Sequence, residues 1–457
     1  MTPMRDILLG GLLSLAASST ALGAGPEANR AERPNVVIFF TDDQGYADLG
    51  CQGSKDIRSP NIDRLATEGV RFTTWYSAAP VCSPSRAALL TGRSPQGAGV
   101  PGNVSSYPGK PGLPPDQLTI AERLKPLGYA TGAVGKWHLG SSPGASPNEQ
   151  GFDRFFGFYA GCVDNYSHTF YWEAPHVHDL RRDDHVVHEE GTYLTDIVTR
   201  EALRFVDENR ANPFFLYVAY NLPHYPMQAP ARLVAPFAAL NPDRATYAGM
   251  VAAVDESVGL VLARLDRHGL ARDTLVLFIS DQGATAEARG NGPVGDNGPF
   301  RGRKFSLFDG GLRVPAIVRW PGVVPAGETR DQLACSFDVA PTVVAATGGR
   351  ADASAFEGKD LADVLIRNAP SPHESLAWSS GGQEAIRSGR WKLVRNGRED
   401  DGKSLAGADA VFLSDLEADP EERTNLARAQ PEVLEKLSRE LDAWLASHAR
   451  PKASNAR

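Results

Sequence analysis

Cysteine is scarce in this 457-residue chain, with four residues, Cys51, Cys82, Cys162 and Cys335. That is too few for a disulfide scaffold, although an exported protein could pair two of them. No run of five or more Lys/Arg occurs, and 47 basic against 55 acidic side chains leave a net charge of −8. This argues against nucleic acid or an anionic membrane surface as main partner, and any anionic small substrate then needs a local positive pocket. Past the N-terminus no stretch reaches about 18 apolar residues, so no membrane span is expected. Repeats and low-complexity segments are also missing, which excludes solenoid, collagenous and disordered chains. What the sequence has in plenty is glycine (45) and proline (33), above the usual shares of about 7% and 5%, so turns and long connections, where sites are built, should be numerous.

The N-terminus reads as an export leader: Met1 to Arg5 as a basic start, the apolar stretch Ile7 to Ala17, then small residues from Ala21 to Ala24. Residues 1–23 form the expected signal peptide, and the mature protein is periplasmic or secreted.

Four segments share one grammar, an apolar β-branched or aromatic run that breaks into a polar residue near Gly or Pro. They are Pro34–Thr41 into Asp42, Asp43 and Gly45; Ala130–Val134 into Lys136 and His138; Phe214–Ala219 into His224; and Thr274–Ile279 into Asp281 and Gln282. Continuous apolar runs suit strands buried on both faces of a parallel sheet. Helical patterns lie between them, from Pro60 towards Gly69, from Thr195 to Arg210 and from Tyr247 to His268. The expected class is α/β, a large, mostly parallel central sheet sandwiched by helices. Ligands of such sheets bind beyond the carboxyl ends of the strands, where all four polar breaks fall. From about Pro370 the texture changes. Ser375–Trp378, Glu384–Arg395 and Val411–Leu416 read as a short antiparallel sheet and Pro431–Ala446 as an amphipathic helix. The expected division is 24–369 as catalytic domain and 370–457 as a C-terminal subdomain.

The sharpest local signal is Cys82-Ser83-Pro84-Ser85-Arg86, running into Ala87–Gly92. Pro84 suits the first position of a helix and Gly92 its stop. Cys82 then sits at a helix N-terminus, where free backbone N–H groups favour anions, with Arg86 one turn on.

In this stretch the chain resembles the type I, formylglycine-dependent sulfatases, the arylsulfatase A-like group of the alkaline phosphatase superfamily. The resemblance runs from Arg33-Pro-Asn-Val36 to Asp419–Leu426. It implies that Cys82 is oxidised to formylglycine by a separate formylglycine-generating or sulfatase-maturating enzyme. It implies a divalent cation, calcium or alternatively magnesium, held by Asp42, Asp43, Asp281 and the residue at position 82, all hard oxygen ligands. Gln282 stands where the family usually has Asn or His as the fourth protein ligand. Gly135-Lys136-Trp137-His138-Leu139-Gly140 is similar to the stretch whose Lys binds sulfate and whose His acts on the formylglycine hydrate. Pro223-His224-Tyr225-Pro226 and Arg301–Pro315 resemble the stretches whose His224 and Lys304 contact the ester and sulfate oxygens; Asp309 replaces a more usual Glu. The implied chemistry is attack on sulfur by one hydroxyl of the hydrated aldehyde, oriented by Arg86, with protonated His224 as general acid and His138 receiving the second hydroxyl's proton.

Substrate selection is expected in Phe155–His168 and the His-rich stretch to His188. Asp164, Asn165 and His168 are the candidate subsite residues for a sulfated carbohydrate or other sulfate ester. Two other readings compete: a phosphonate monoester or phosphodiester hydrolase of the same superfamily, and a catalytically silent binder of sulfated glycan with unmodified Cys82.

Overall fold

The computed structural model describes residues 33–285, 294–349 and 354–448; the expected leader, residues 1–23, lies outside the described residues. Ten strands form the main sheet: β1 (Asn35–Thr41), β2 (Val70–Phe72), β3 (Ala130–Lys136), β4 (Arg154–Phe158), β5 (Arg181–Arg182), β6 (His185–Val186), β7 (Phe214–Ala219), β8 (Thr274–Ser280), β9 (Ala316–Arg319) and β10 (Glu328–Arg330). Their order is β10-β2-β9-β8-β1-β7-β3-β4-β5-β6. The middle five, β8-β1-β7-β3-β4, are all parallel, whereas β9 and β5 join antiparallel on either side.

Every residue of β1, β7 and β8 is buried, because alternate side chains enter two different cores. Val37, Phe39, Leu216, Val218, Val276 and Phe278 pack with Ile197 and Phe205 of one helix and Val251 and Val258 of another. Val36, Ile38, Phe40, Phe215, Tyr217, Leu275 and Ile279 pack on the opposite face with Leu89, Leu90, Val339 and Val343. Each fully buried aliphatic or Phe side chain contributes about 1.5–3 kcal/mol, so the doubly covered centre is the rigid part of the molecule.

The helices that cover it are α1 (Pro60–Thr67), α2 (Cys82–Thr91), α3 (Leu194–Asn209), α4 (Pro242–Arg267) and α5 (Val339–Ala346). Two differ from the sequence reading. Helix α4 starts five residues before Tyr247, because Asn241 accepts a hydrogen bond from the Arg244 N–H at 2.8 Å and Pro242 occupies the first turn. In α2 Pro84 is the third residue, not the first, since Val81 is the N-cap; Gly92, at φ +71°, does end it.

The C-terminal part is an antiparallel meander, β11 (Ser375–Ser380), β12 (Gln383–Ser388), β13 (Trp391–Arg395) and β14 (Val411–Asp415), followed by α6 (Pro431–His448). The expected single strand Glu384–Arg395 is two strands, reversed at Gly389 with φ +56°. One face of the meander packs Trp378, Val394 and Phe412 on Leu307, Phe308 and Leu312 of the larger body; the other packs Ile386, Leu393 and Leu413 under Leu437 and Leu441 of α6. All four cysteines are free, so no pair of them is bridged. No described helix is long and apolar enough to cross a membrane.

Candidate active site

The strand order explains why residues scattered from 42 to 281 meet. Strands β8, β1, β7 and β3 are neighbours in level register, Thr41 beside Ser280, Phe40 beside Ala219, and Ala219 beside Gly135. Their carboxyl ends therefore deliver Asp42 and Asp43, Asp281 and Gln282, His224, and Lys136 and His138 to one crevice. Asp43 (φ +60°) and His138 (φ +54°) occupy the left-handed backbone region, which side-chain-bearing residues enter only when other contacts compensate. Those contacts are the Asp43 N–H to Asp281 Oδ1 at 3.1 Å and the His138 N–H to the Tyr159 carbonyl at 3.1 Å. Gly135 has no alternative, because a Cβ there would lie 1.9 Å from the Ala219 carbonyl oxygen.

Cys82, the first residue of α2, places Sγ 3.5 Å from Asp42 Oδ1 and 3.7 Å from Gln282 Nε2. Around it three carboxylates and three cations are interleaved and buried. Lys136 Nζ donates to Asp42 at 2.6 Å, Lys304 Nζ to Asp43 at 2.9 Å, and Arg86 Nη2 to Asp281 at 3.0 Å while lying 3.7 Å from Asp42. Burial works to raise Asp42, but Lys136, His224, Arg86 and Lys304 overcome it and hold the carboxyl well below the ordinary range. Asp281 goes the other way, up to about 8, through burial and the charge of Asp42, only partly offset by Arg86. Burial likewise pushes the Cys82 thiol up to about 12 despite Lys136 and Lys304. The helix N-terminus thus does not make a thiolate nucleophile of the encoded cysteine.

Burial, then Lys304, lowers His224, so the protonated His224 expected from the sequence is disfavoured in the free protein. Its Nδ1 bonds the Tyr225 carbonyl at 2.7 Å and Nε2 stands 3.7 Å from Asp43. His138 is held neutral, well below its usual value, by burial, Lys136 and Arg86. Its Nε2 faces the Val104 carbonyl at 3.3 Å, and the buried Nδ1 has no partner among the described residues.

The donor set fits a hard divalent cation. Ligand atoms of Asp42, Asp43 and residue 82 lie within 4.8 Å of one another. The Gln282 amide rests on Asp43 through Nε2, and its buried Oε1 has no partner among the described residues. Which end of an amide faces a neighbour follows from the surrounding hydrogen bonds. With a cation between the carboxylates, the oxygen end of Gln282 would face it, an all-oxygen set of the kind calcium or magnesium prefers.

Above the cluster opens a cavity of about 500 Å³, to which Cys82, His138, His224 and Lys304 contribute. Asp164, Asn165 and His168 do not line it. Asp164 accepts from the backbone of Tyr166 and Ser167 and from Gln228, Asn165 bonds Asn221 and the Pro226 carbonyl, and His168 bonds the Thr192 carbonyl. Asp164 braces its own turn, whereas Asn165 and His168 tie it to the segments around His224 and Thr192. The walls are instead Asn103, Ser105 and Ser106, which follow no strand and belong to no motif; Trp172 and Glu173, from the stretch to His188 expected to select substrate; and Phe305, next to Lys304 in its motif.

Lys304 reaches the site from a loop that the C-terminal sheet holds. Gln383 donates to the Phe305 carbonyl at 2.7 Å and accepts from the Leu307 N–H at 3.2 Å, and Ser306 donates to the Arg398 carbonyl at 2.7 Å. Beneath it, buried Asp309 takes Lys392 at 2.6 Å and Tyr76 at 2.8 Å, and its own N–H donates to Glu422 at 2.7 Å.

Comparison with known proteins agrees with this geometry. The family model described as Sulfatase matches residues 34–349. Arylsulfatase A of Homo sapiens is 33% identical over 463 residues, spanning 91% of this chain and 88% of its own length. N-acetylgalactosamine-6-sulfatase of Mus musculus is 33% identical over 387 residues, 80% of this chain and 72% of its own. Among solved structures, Ps i-CgsB in complex with k-i-k-neocarrahexaose superimposes with a TM-score of 0.83 at 33% identity, covering 92% of this chain and 94% of that one.

Proposed function

The chain belongs to the sulfatase family of sulfuric ester hydrolases, and we propose that it removes sulfate from a carbohydrate at a Cys82 oxidised to formylglycine. The observation that carries this reading is the buried meeting of Cys82 with Asp42, Asp43, Asp281, Lys136, Lys304 and Arg86 beside one cavity. In this reading residues 1–23 direct export to the periplasm or beyond, and a separate maturation enzyme oxidises Cys82. Residues 24–369 are the catalytic domain, and 370–457 form a subdomain that braces the Lys304 loop.

Oxidised Cys82 supplies a hydrated aldehyde, with one hydroxyl to attack sulfur and a second whose deprotonation frees the sulfate. Calcium, or magnesium in its place, would be held by Asp42, Asp43, Asp281, Gln282 and position 82 and would supply positive charge next to the sulfuryl oxygens. The chain's own groups do the rest. The amino groups of Lys136 and Lys304 bind sulfuryl oxygens as charge develops on them. Arg86, fixed by Asp281, orients position 82 from within its helix. His224 keeps Nδ1 on the Tyr225 carbonyl, so Nε2 is the nitrogen that hands a proton to the leaving alcohol. The bound sulfate brings the negative charge needed to protonate it first. His138 accepts a proton at Nδ1, its unpartnered nitrogen.

Peptide mass spectrometry across residues 72–86 of active enzyme tests the reading. An aldehyde at position 82 is the expected result, and a thiol in every active preparation overturns it. Cys82→Ala is expected to abolish turnover, and Cys82→Ser, which has no second hydroxyl, to complete at most one turnover. Sustained hydrolysis by either variant would sink the mechanism.

A further inference from the structure

The walls of the cavity carry a charge pattern that the reacting cluster does not explain. Among the described residues lining it, Lys304 is the one lysine, no arginine is present, and Glu173 is the one carboxylate. Beyond the reaction centre the remaining polar walls are neutral: Asn103, Ser105 and Ser106. These are rigidly held. Asn103 Oδ1 accepts the Ser83 N–H at 3.0 Å, Ser83 Oγ accepts the Val104 N–H at 3.1 Å, and Ser106 Oγ accepts the Gly161 N–H at 2.9 Å.

Trp172, which also lines the cavity, keeps 38% of its surface exposed. The segment bearing Trp172 and Glu173 is pinned on both sides by Tyr107, whose ring meets Phe170 edge-on at 5.4 Å and whose hydroxyl donates to the Ala174 carbonyl at 2.7 Å. Glu173 has no cationic partner among the described residues. A fixed aromatic face beside an unneutralised carboxylate and neutral hydroxyl and amide groups suits the C–H face and hydroxyls of an uncharged sugar. The same carboxylate repels a second sulfate placed against it.

We infer that Trp172 and Glu173 form a subsite for the sugar unit adjoining the sulfated one, and that Glu173 selects substrates whose adjoining unit carries no sulfate. Trp172 supplies the stacking surface and Glu173 accepts hydroxyl hydrogen bonds while excluding the anion. The inference rests on the sulfatase reading of the Cys82 site and narrows its substrate to carbohydrates with isolated sulfates.

The test uses mature full-length enzyme and a panel of oligosaccharides with one sulfate on the terminal unit, each paired with a counterpart bearing a second sulfate on the adjoining unit. Every rate is normalised to the same variant's rate on a small aryl sulfate. For those pairs that are cleaved, wild type is expected to favour the singly sulfated member by about fivefold in kcat/KM, the scale of one like-charge contact at about 4 Å beside an exposed carboxylate. Glu173→Gln, which keeps size and hydrogen bonding, should bring that ratio to within about twofold. Trp172→Ala should raise KM for the singly sulfated member about tenfold with little change in kcat, as loss of an aromatic anchor does. Equal or better turnover of the doubly sulfated members by wild type, an unchanged ratio in Glu173→Gln, or aryl sulfate turnover with no cleavage in the panel overturns the inference alone. Failure to hydrolyse any sulfate ester overturns the sulfatase reading and this inference with it.

Discussion

On the proposed reading Gln282 would decide how tightly the cation is held, since the three carboxylates that would surround it are already engaged by Lys136, Lys304 and Arg86. Its Oε1 is the buried oxygen of the cluster that nothing occupies among the described residues. Gln282→Ala should therefore weaken calcium binding by at least about tenfold, the order seen when one group of a metal site is removed. Two readouts check it: the calcium needed to restore turnover after chelation, and the calcium-dependent rise in melting temperature, which follows mass action independently of catalysis. An unchanged requirement in both would remove Gln282 from the ligand set. Single residues differ in how legible they are from sequence. Asp42, Lys136 and Asp281 could be read because each terminates an apolar run whose burial on both faces implies a parallel strand. Asp164 was misread because an Asp that bonds the N–H groups two and three residues on, here Tyr166 and Ser167, looks identical in sequence to a ligand-binding Asp. Trp172 and Glu173 fall in the stretch to His188 expected to select substrate, but no sequence feature singles them out from its other residues, because the fold, not any motif, carries them to the cavity.

At the scale of elements, the C-terminal meander supports the candidate active site by holding the loop that carries Lys304. Gln383 at the start of β12 bonds both the Phe305 carbonyl and the Leu307 N–H, on either side of the residue that follows Lys304 by two. Gln383→Ala leaves the buried Leu307 N–H unpaired, at a cost of about 1–3 kcal/mol, and removes the Gln383 bond from the half-buried Phe305 carbonyl. Because the loop can relax by shifting Lys304, kcat should fall more than about tenfold while the far-ultraviolet spectrum stays that of the native fold. Wild-type kcat in this variant would show that the loop holds itself. Lys392 on β13 has a different part, lying between buried Asp309 and Glu422. Burial works to raise both acids. Lys392, Arg313 and Arg387 overcome it at Asp309, held down to about 2, whereas at Glu422 burial prevails and pushes it to about 7. Lys392→Met should then cost about 3–5 kcal/mol, as removing one partner of a buried ion pair does, measured as a shift in the denaturation midpoint. Element boundaries were readable where caps are local, as at Ser59-Pro60 and Gly92. They were not readable at Asn241, whose capping role has no apolar periodicity behind it, nor for two-residue strands such as β5, too short to show a period.

At the scale of the molecule, the net charge of −8 and the cationic centre have to be reconciled. Asp42, Asp43 and Asp281 cancel Lys136, Lys304 and Arg86 in formal charge, so a bound divalent cation would leave the crevice near +2, a value set by residues from three adjacent strand ends, helix α2 and the Lys304 loop. With a net charge of −8 the rest of the molecule disfavours anions on balance, so on the proposed reading the attraction centres on the crevice and the sulfate seated there. The consequence can be measured. Between about 0.05 and 0.2 M salt the Debye length falls from about 14 to about 7 Å, which weakens long-range capture but barely touches a sulfate seated among buried charges. The value of kcat/KM for a singly sulfated substrate should therefore fall only about two- to threefold over that range. A protein reading an extended polyanion through many Lys/Arg contacts would lose about a thousandfold or more. A loss on that scale would mean that a basic tract elsewhere on the molecule engages the substrate. The parallel class of the sheet was legible from runs such as Phe214–Ala219, but the neighbour relation β8-β1-β7-β3 was not, and that relation is what brings Asp42, Asp43, Lys136, His138, His224 and Asp281 to one crevice, where helix α2 and the Lys304 loop add the remaining cations.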